Sequence, residues 1–151
     1  MASRGFEFAH MLDTSNATPV IRDFTLGEAT AYKCGDLVIM QDDGFVDKAA
    51  ATAGEITGVM MEDLAVADIT AETTKGKVAI LTRNQVWRCS MDATSTALVV
   101  GYSKTLDLVD CNTVDADGSS GKMILFDAST LDDDGNVMAY VVFSDTTFGN
   151  T

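Results

Sequence analysis

The sequence predicts an all-β domain, built as a small β-barrel or a β-sandwich. Two features favour this fold class. Short runs rich in Thr, Val and Ile recur along the chain, and residues typical of turns separate them at short intervals. Two Asp-rich turns that contain glycine, at residues 42–44 and 131–136, each lie between apolar runs. Because glycine adopts positive φ at no steric cost, such turns favour β-hairpins, and many short hairpin strands are typical of sandwiches and barrels.

The first predicted strand covers residues 20–26 and alternates loosely in character, and it fits either a strand that joins the body of the domain or one that packs on a neighbour. It places these side chains on one face: Val20, Arg22, Phe24 and Leu26. Residues 36–40 and 45–46 are then predicted to pair as a hairpin around Asp42-Asp43-Gly44.

The middle of the chain continues with residues 48–54, which are expected to form a loop. Residues 55–61 are the next predicted strand, in which Gly58 indicates a bulge or a close approach of another backbone segment. Residues 62–74 fit either a short helix or a long loop. The remaining predicted strands cover residues 78–81, 86–89, 98–102, 106–109, 122–126 and 137–143.

A length of 151 residues predicts one domain. We expect a single β domain at residues 20–151, with Trp87 in its core, preceded by an extended N-terminal arm at residues 1–19. The arm is expected to lie outside the core, because its polar sequence carries isolated aromatic residues without a sustained period. Apolar and arginine side chains on the arm and the following strand are candidates for contact with a partner. These candidates are Arg4, Phe6, Phe8, Met11, Arg22 and Phe24.

The charge balance is strongly acidic, with 23 Asp and Glu against 10 Lys and Arg and a formal net charge of −13. This composition disfavours nucleic acids as partners, because phosphate neutralisation needs clustered Lys and Arg. It also disfavours anionic membranes. No apolar run reaches the roughly 18 residues of a membrane helix, and the chain begins without an apolar signal core. We therefore expect a protein that is made and used in soluble form.

Metal and cofactor motifs are not recognisable, so no metal and no cofactor are expected. The turns at residues 115–118 and 132–136 group carboxylates, but a helix–loop–helix calcium site needs a Glu six residues after its glycine. Those positions are Ile124 and Val141. The Asp residues are therefore interpreted as turn formers. The three cysteines are odd in number and widely spaced, so they are interpreted as free thiols rather than a disulfide framework. With one histidine and no closely paired cysteines, the chain also lacks the ligands of a typical zinc site.

An enzymatic role is also not expected. A covalent mechanism needs a nucleophile with an adjacent base. The one histidine, His10, lies in the predicted arm, and Gly-x-Ser-x-Gly is absent. The glycine-rich phosphate-binding motifs are missing as well.

From Gly35 to about Cys89 the layout of strands and turns resembles a known family. The resembling segments are Gly35-Asp36-Leu37-Val38, the hairpin from Asp42 to Ala49, the run from Gly54 to Asp63, and Lys77-Val78-Ala79-Ile80-Leu81-Thr82. Their pattern is similar to that of the small capsid decoration (cement) proteins of tailed bacteriophages. The resemblance covers about a third to a half of the chain.

This resemblance implies a small β-barrel or β-tulip-like domain and a non-enzymatic structural role in the virion. Proteins of this family bind as trimers to the outside of an icosahedral head and clamp neighbouring major capsid subunits. The implied partners are the major capsid protein and further copies of the chain, as a homotrimer. The acidic charge fits the outer surface of a shell better than contact with the DNA inside it, because like charges repel.

Two other function classes stay open at this point. One is a different virion accessory protein, such as a head fibre base or a tail-associated β domain. The other is a soluble β-barrel that binds a small ligand, or a hydrolase that uses Asp residues which no motif singles out.

Overall fold

The structure is a computed structural model that describes residues 5–13, 15–50, 55–92, 101–115 and 123–148, without the side chains of residues 101–105 and 129–130. The strands in these residues are β1 (Glu7–Met11), β2 (Ile21–Thr25), β3 (Leu37–Met40), β4 (Val46–Lys48), β5 (Gly58–Met60), β6 (Lys75–Ile80), β7 (Gln85–Ser90), β8 (Gly101–Asp110), β9 (Thr113–Asp115), β10 (Met123–Leu131) and β11 (Val137–Phe143). The ambiguous residues 62–74 form a long connection with one turn of 3-10 helix, Val66–Asp68. No helix in the described part of the chain is long and apolar enough to cross a membrane.

The strands form two antiparallel sheets that pack as a sandwich. Sheet A contains six strands in the order β1-β7-β11-β10-β8-β9, and sheet B contains five in the order β2-β6-β5-β3-β4. The all-β prediction is confirmed. The closed barrel is wrong, because within the described residues no ladder joins the first and last strands of either sheet; between the ends of sheet B there is a single isolated bridge, from Leu26 to Val46. A barrel requires such a closing ladder.

The main core lies between the two sheets. Along β11 buried and half-buried residues alternate strictly, so one face of the strand points into the sandwich. Trp87 of β7 is 1% exposed, as predicted for a core residue, and its indole Nε1 donates to Gln85 Oε1 at 3.0 Å. Burial of an aromatic side chain of this size stabilises the fold by roughly 2–3 kcal/mol.

The inner strands of sheet B pack against a core on each face of the sheet. Its second face carries a smaller core formed by Leu26, Tyr32, Val38, Val46, Met60, Ile69 and Val78. The residues that follow β2 and β5 cover this face, and Tyr32 and Leu64 form a bridge between the two covering segments. Burial of both faces explains why β3 and β5 have continuous apolar runs rather than alternating ones.

Two predicted glycine roles are observed. Gly44 has φ +85° in the β3–β4 turn, which confirms the hairpin. At Gly58 a Cβ atom would lie 2.4 Å from the carbonyl oxygen of Ala79 on the neighbouring strand β6. The close backbone approach predicted at Gly58 is therefore confirmed.

The prediction of an N-terminal arm outside the core is wrong for the residues around β1. This strand pairs antiparallel with β7, with Glu7 opposite Arg88, and extends sheet A by one strand. Arg88 also donates to the Glu7 carboxylate, with the closest N–O distance 2.6 Å. The physical reason is that the alternating residues Phe6 and Phe8 cover the edge of the main core. By contrast, most described side chains between residues 12 and 20 are exposed.

Candidate docking surface

Three of the predicted contact residues belong to the core instead of a binding surface. Phe6 is 2% exposed, and its ring centroid lies 5.5 Å from that of Phe143. Phe8 packs edge-on against Trp87 at 5.5 Å, and Met11 is 8% exposed. Phe6 and Phe8 stabilise the sandwich, whereas the small exposed part of Met11 lines the cleft described below. Arg4 lies outside the described residues.

The two remaining candidates lie on β2. Phe24 is half-buried against the smaller core, and its ring centroid is 6.5 Å from that of Phe148. Arg22 is exposed. Arg22 is therefore the one described candidate whose side chain is exposed rather than buried or half-buried.

The exposed apolar side chains near Arg22 were missed by the sequence prediction. Leu12, Val20 and Ile21 are 43%, 56% and 52% exposed. Val20 and Ile21 are consecutive in an extended segment, so their side chains point to opposite faces. Exposure on both faces depends on the position of β2 at the edge of sheet B, and no local pattern indicates that position.

A cleft of about 570 Å³ lies at the N-terminal end of β2. Its apolar lining consists of Met11, Leu12, Pro19, Val20 and Ile80. Thr18, the connection between β6 and β7, and Gln85 at the start of β7 form the rest of the wall, with Arg83 as the charged residue. None of the described lining residues carries a carboxylate, in a chain with 23 acidic residues.

The cleft wall is held in place by the Gln85 side chain. Its Oε1 accepts from Thr82 N at 3.2 Å and from Trp87 Nε1 at 3.0 Å. Its Nε2 donates to the Ile80 carbonyl at 3.1 Å. Because these partners use its donor and acceptor groups, Gln85 fixes the β6–β7 connection rather than binding a ligand.

Two of the three thiols of the chain are poorly suited to nucleophilic chemistry. Burial, together with the charge of Asp36, raises the pKa of Cys111 to about 11. Burial and the carboxylate of Asp63 also raise the pKa of Cys34. The thiolate is the reactive form of cysteine, so a raised pKa keeps both groups protonated and unreactive at neutral pH.

The carboxylate of Asp132 is engaged within its own turn and with β7. Its Oδ1 accepts from the backbone N–H groups of Asp134 and Asn136 at 2.9 Å, and its Oδ2 accepts from Ser90 Oγ at 2.8 Å. These are the contacts of an Asx turn. In the described part of the chain, no group of three or more His, Cys, Asp or Glu is arranged to hold a metal ion.

One carboxylate destabilises the fold at neutral pH. Burial raises the pKa of Asp47, and Glu28 and Asp43 raise it further. The Oδ1 atom of Asp47 is buried and has no hydrogen-bond partner. The ionised form is therefore disfavoured in the folded state relative to the unfolded chain.

We expect Asp47→Asn to raise the melting temperature at pH 7 by no more than about 2 °C, because the amide removes a half-buried charge that Glu28 and Asp43 repel, while a hydrogen bond with Gln41 offsets part of that penalty. A raised folded pKa means that the penalty is complete above that pKa and disappears as the pH falls below the unfolded value of 3.8. Melting curves of both proteins between pH 3 and 8 measure this difference. The advantage of the variant should shrink towards acid pH.

Asp68→Asn is the matched control, because it removes the same charge from an exposed side chain. Its melting temperature is expected to stay close to that of the unmodified protein across the pH series. An equal gain in both variants would show that the net charge of the chain, and not burial of Asp47, causes the effect.

No protein-family model matches the chain, and a search of curated proteins found no significant match.

Proposed function

We propose that the protein is a non-enzymatic structural component of a bacteriophage virion. In this proposal it binds the outside of the icosahedral head and stabilises contacts between major capsid subunits. Its partners are the major capsid protein and further copies of itself, as a homotrimer. It needs no cofactor, nucleic acid or membrane for this role.

The observation that carries the proposal is the arrangement of the segments that resemble capsid decoration proteins. These segments contain β3, β4, β5 and β6, which are adjacent in sheet B. Three ladders connect them, between β3 and β4, β3 and β5, and β5 and β6. The resembling pattern thus corresponds to one continuous structural unit and is not scattered over the fold.

Two further features support a structural role. The net charge of −13 suits a protein that faces away from packaged DNA. The exposed apolar residues at the start of β2 offer an accessible surface of the kind that binds other proteins. Many weak contacts of this kind on a symmetric shell add up through multivalency.

The test is a sedimentation experiment with expanded phage heads that lack accessory proteins. The purified protein is titrated against these heads, and the copies bound per head are counted after sedimentation. We expect saturable binding, with a multiple of three copies at each local threefold position. Absence of binding, or binding that never saturates, would contradict the proposal.

A further inference from the structure

We propose that the chain contains two copies of one five-stranded module, and that the second copy uses the first as its lid. Module 1 comprises β2 to β6, which form sheet B, and module 2 comprises β7 to β11 of sheet A. Neither point depends on the proposed function.

The two modules have the same strand order. With the strands of each module counted along the chain, sheet B has the order first, fifth, fourth, second, third, as β2-β6-β5-β3-β4. Sheet A without β1 has the order β7-β11-β10-β8-β9, which is the same series of positions. Strands that follow each other in sequence are the usual neighbours in a sheet, so a shared order that pairs the first strand with the fifth is a specific likeness.

The residues that face each other across the ladders also correspond. Between the first and fifth strands, Arg22 lies opposite Val78 in module 1, and Trp87 lies opposite Val141 in module 2. The equivalent pairs on the other ladders are Met60–Val78 with Leu125–Val141, Val38–Gly58 with Leu106–Met123, and Met40–Val46 with Leu108–Val114. Because a one-residue slip would turn every side chain to the other face, this agreement gives each position of module 1 one equivalent in module 2.

Both modules contain the same parallel bridge between the first and third strands, here called the seam. The residue that follows the first strand forms it, as Leu26 with Val46 in module 1 and as Met91 with Val114 in module 2. The N–H group of the next residue then donates to the carbonyl of that valine, at 2.9 Å in module 1 and 3.0 Å in module 2. The named ladders of both sheets are antiparallel, so a parallel bridge at equivalent residues is a second specific likeness.

The interior side chains of the two modules are equivalent as well. Five such positions are occupied in module 1 by Leu26, Val38, Val46, Met60 and Val78, and in module 2 by Met91, Leu106, Val114, Leu125 and Val141. Each of these side chains is at most 1% exposed. Two of the five pairs are identical, and the others exchange Leu, Met and Val, which a core accepts when its volume is nearly conserved.

Module 1 covers its interior with its own connections. The connection from β5 to β6 is long, and its residues Leu64 and Ile69 belong to the smaller core. Tyr32, from the connection between β2 and β3, completes this cover and is 1% exposed.

Module 2 has a tight turn, residues 132–136, where module 1 has its long connection from the fourth to the fifth strand. Its interior is covered by the outer face of module 1, from which Leu37, Val59 and Ala79 join the main core. The N–H group of Leu37 also donates to the carbonyl of Cys111, in the β8–β9 turn, at 2.7 Å. Because an apolar interior must be kept from water, module 1 acts as the lid of module 2.

Amide hydrogen exchange at the two seams tests the lid. The reporters are the equivalent N–H groups of Gly27 and Asp92, which donate to Val46 and Val114. Leu37→Ala thins the lid, so exchange should speed up at Asp92 by at least about tenfold and at Gly27 much less. Ile69→Ala thins the cover of module 1 and is the matched control, for which we expect the opposite pattern.

A transplanted interior tests the equivalence of the modules. Met91→Leu, Leu106→Val and Leu125→Met together give module 2 the interior of module 1, and the melting temperature should fall by less than about 6 °C. Met91→Val with Leu106→Met is the control, because it places the same three side chains at positions that do not match module 1. We expect its fall in melting temperature to be at least about twice as large, since it leaves a gap at one position and changes the packing at another.

Two results would overturn the inference. Equal acceleration at Gly27 and Asp92 in both single variants would show one undivided core without a lid. A control interior as stable as the transplanted one would show that the positions of the two modules are not interchangeable. Binding to phage heads is a separate measurement, so either failure leaves the test of the proposed function unchanged.

Discussion

Replacement of Phe6 by alanine is expected to lower the free energy of unfolding by about 3–5 kcal/mol, the usual cost of truncating a buried phenylalanine. Phe6 is 2% exposed and packs against Phe143, so the substitution leaves a cavity between the sheets. In a protein of this size the melting temperature should fall by about 6–20 °C. Urea unfolding and thermal melting both measure the effect.

Leu12→Ala is the control, because Leu12 follows β1 directly and is 43% exposed. Its effect should stay within about 0.5 kcal/mol. Phe8→Ala is expected to lie between the two, since Phe8 is partly buried against Trp87. If Phe6→Ala were as stable as the unmodified protein, Phe6 would not be a core residue in solution, and the segment would be an arm outside the core.

The hairpins were predictable from the sequence because the residues that specify each turn are adjacent in the chain. The β3–β4 turn contains Asp42-Asp43-Gly44, and the β10–β11 turn contains Gly135 with φ +83°. A tight turn fixes the register of the two strands beside it, so a short window of sequence contains the whole unit. The same argument explains why Gly58 was recognised as a position of close backbone approach.

The role of β1 was not predictable in the same way. Phe6 and Phe8 alternate with Glu7, which is a strand pattern, but the segment is too short to distinguish a strand from an arm. Its partner β7 lies about eighty residues away in the sequence, with Glu7 opposite Arg88. Pairing over such a distance depends on the packing of the whole domain, which a single sequence does not display.

The candidate site shows the same limit. Arg22 was proposed as a contact residue and is exposed, whereas Val20 and Ile21 were treated as an ordinary strand. Their exposure follows from the order of strands in sheet B, where β2 is the last strand. The choice between sandwich and barrel also depends on strand order, which explains why both architectures fitted the sequence.

A second large effect is expected at Asp36, a carboxylate that is 2% exposed and joins the two sheets. Its Oδ2 accepts from Lys33 N at 3.0 Å, and Asn112, in the β8–β9 turn of sheet A, donates to its Oδ1 at 3.3 Å. Lys48 Nζ lies 3.7 Å from the same carboxylate. Alanine at this position would leave the backbone donor, the amide and the ammonium group without this acceptor.

We expect Asp36→Ala to lower the free energy of unfolding by about 2–4 kcal/mol, because buried donors that lose their acceptor keep the full cost of desolvation. Asp36→Asn retains one carbonyl oxygen and should cost about half as much. Asp23→Ala is the control: its pair with Lys77, at 3.5 Å, has both side chains more than half exposed, so its removal should change stability by less than about 1 kcal/mol.

A double-mutant cycle with Lys48→Met separates the ion pair from the rest of the network. Because Lys48 keeps 36% of its side chain exposed, water solvates part of its charge and the coupling energy should be small, about 1 kcal/mol. Most of the loss in Asp36→Ala must then come from Lys33 and Asn112. If Asp36→Ala were no more destabilising than Asp23→Ala, the carboxylate would not hold the β8–β9 turn of sheet A against sheet B in solution.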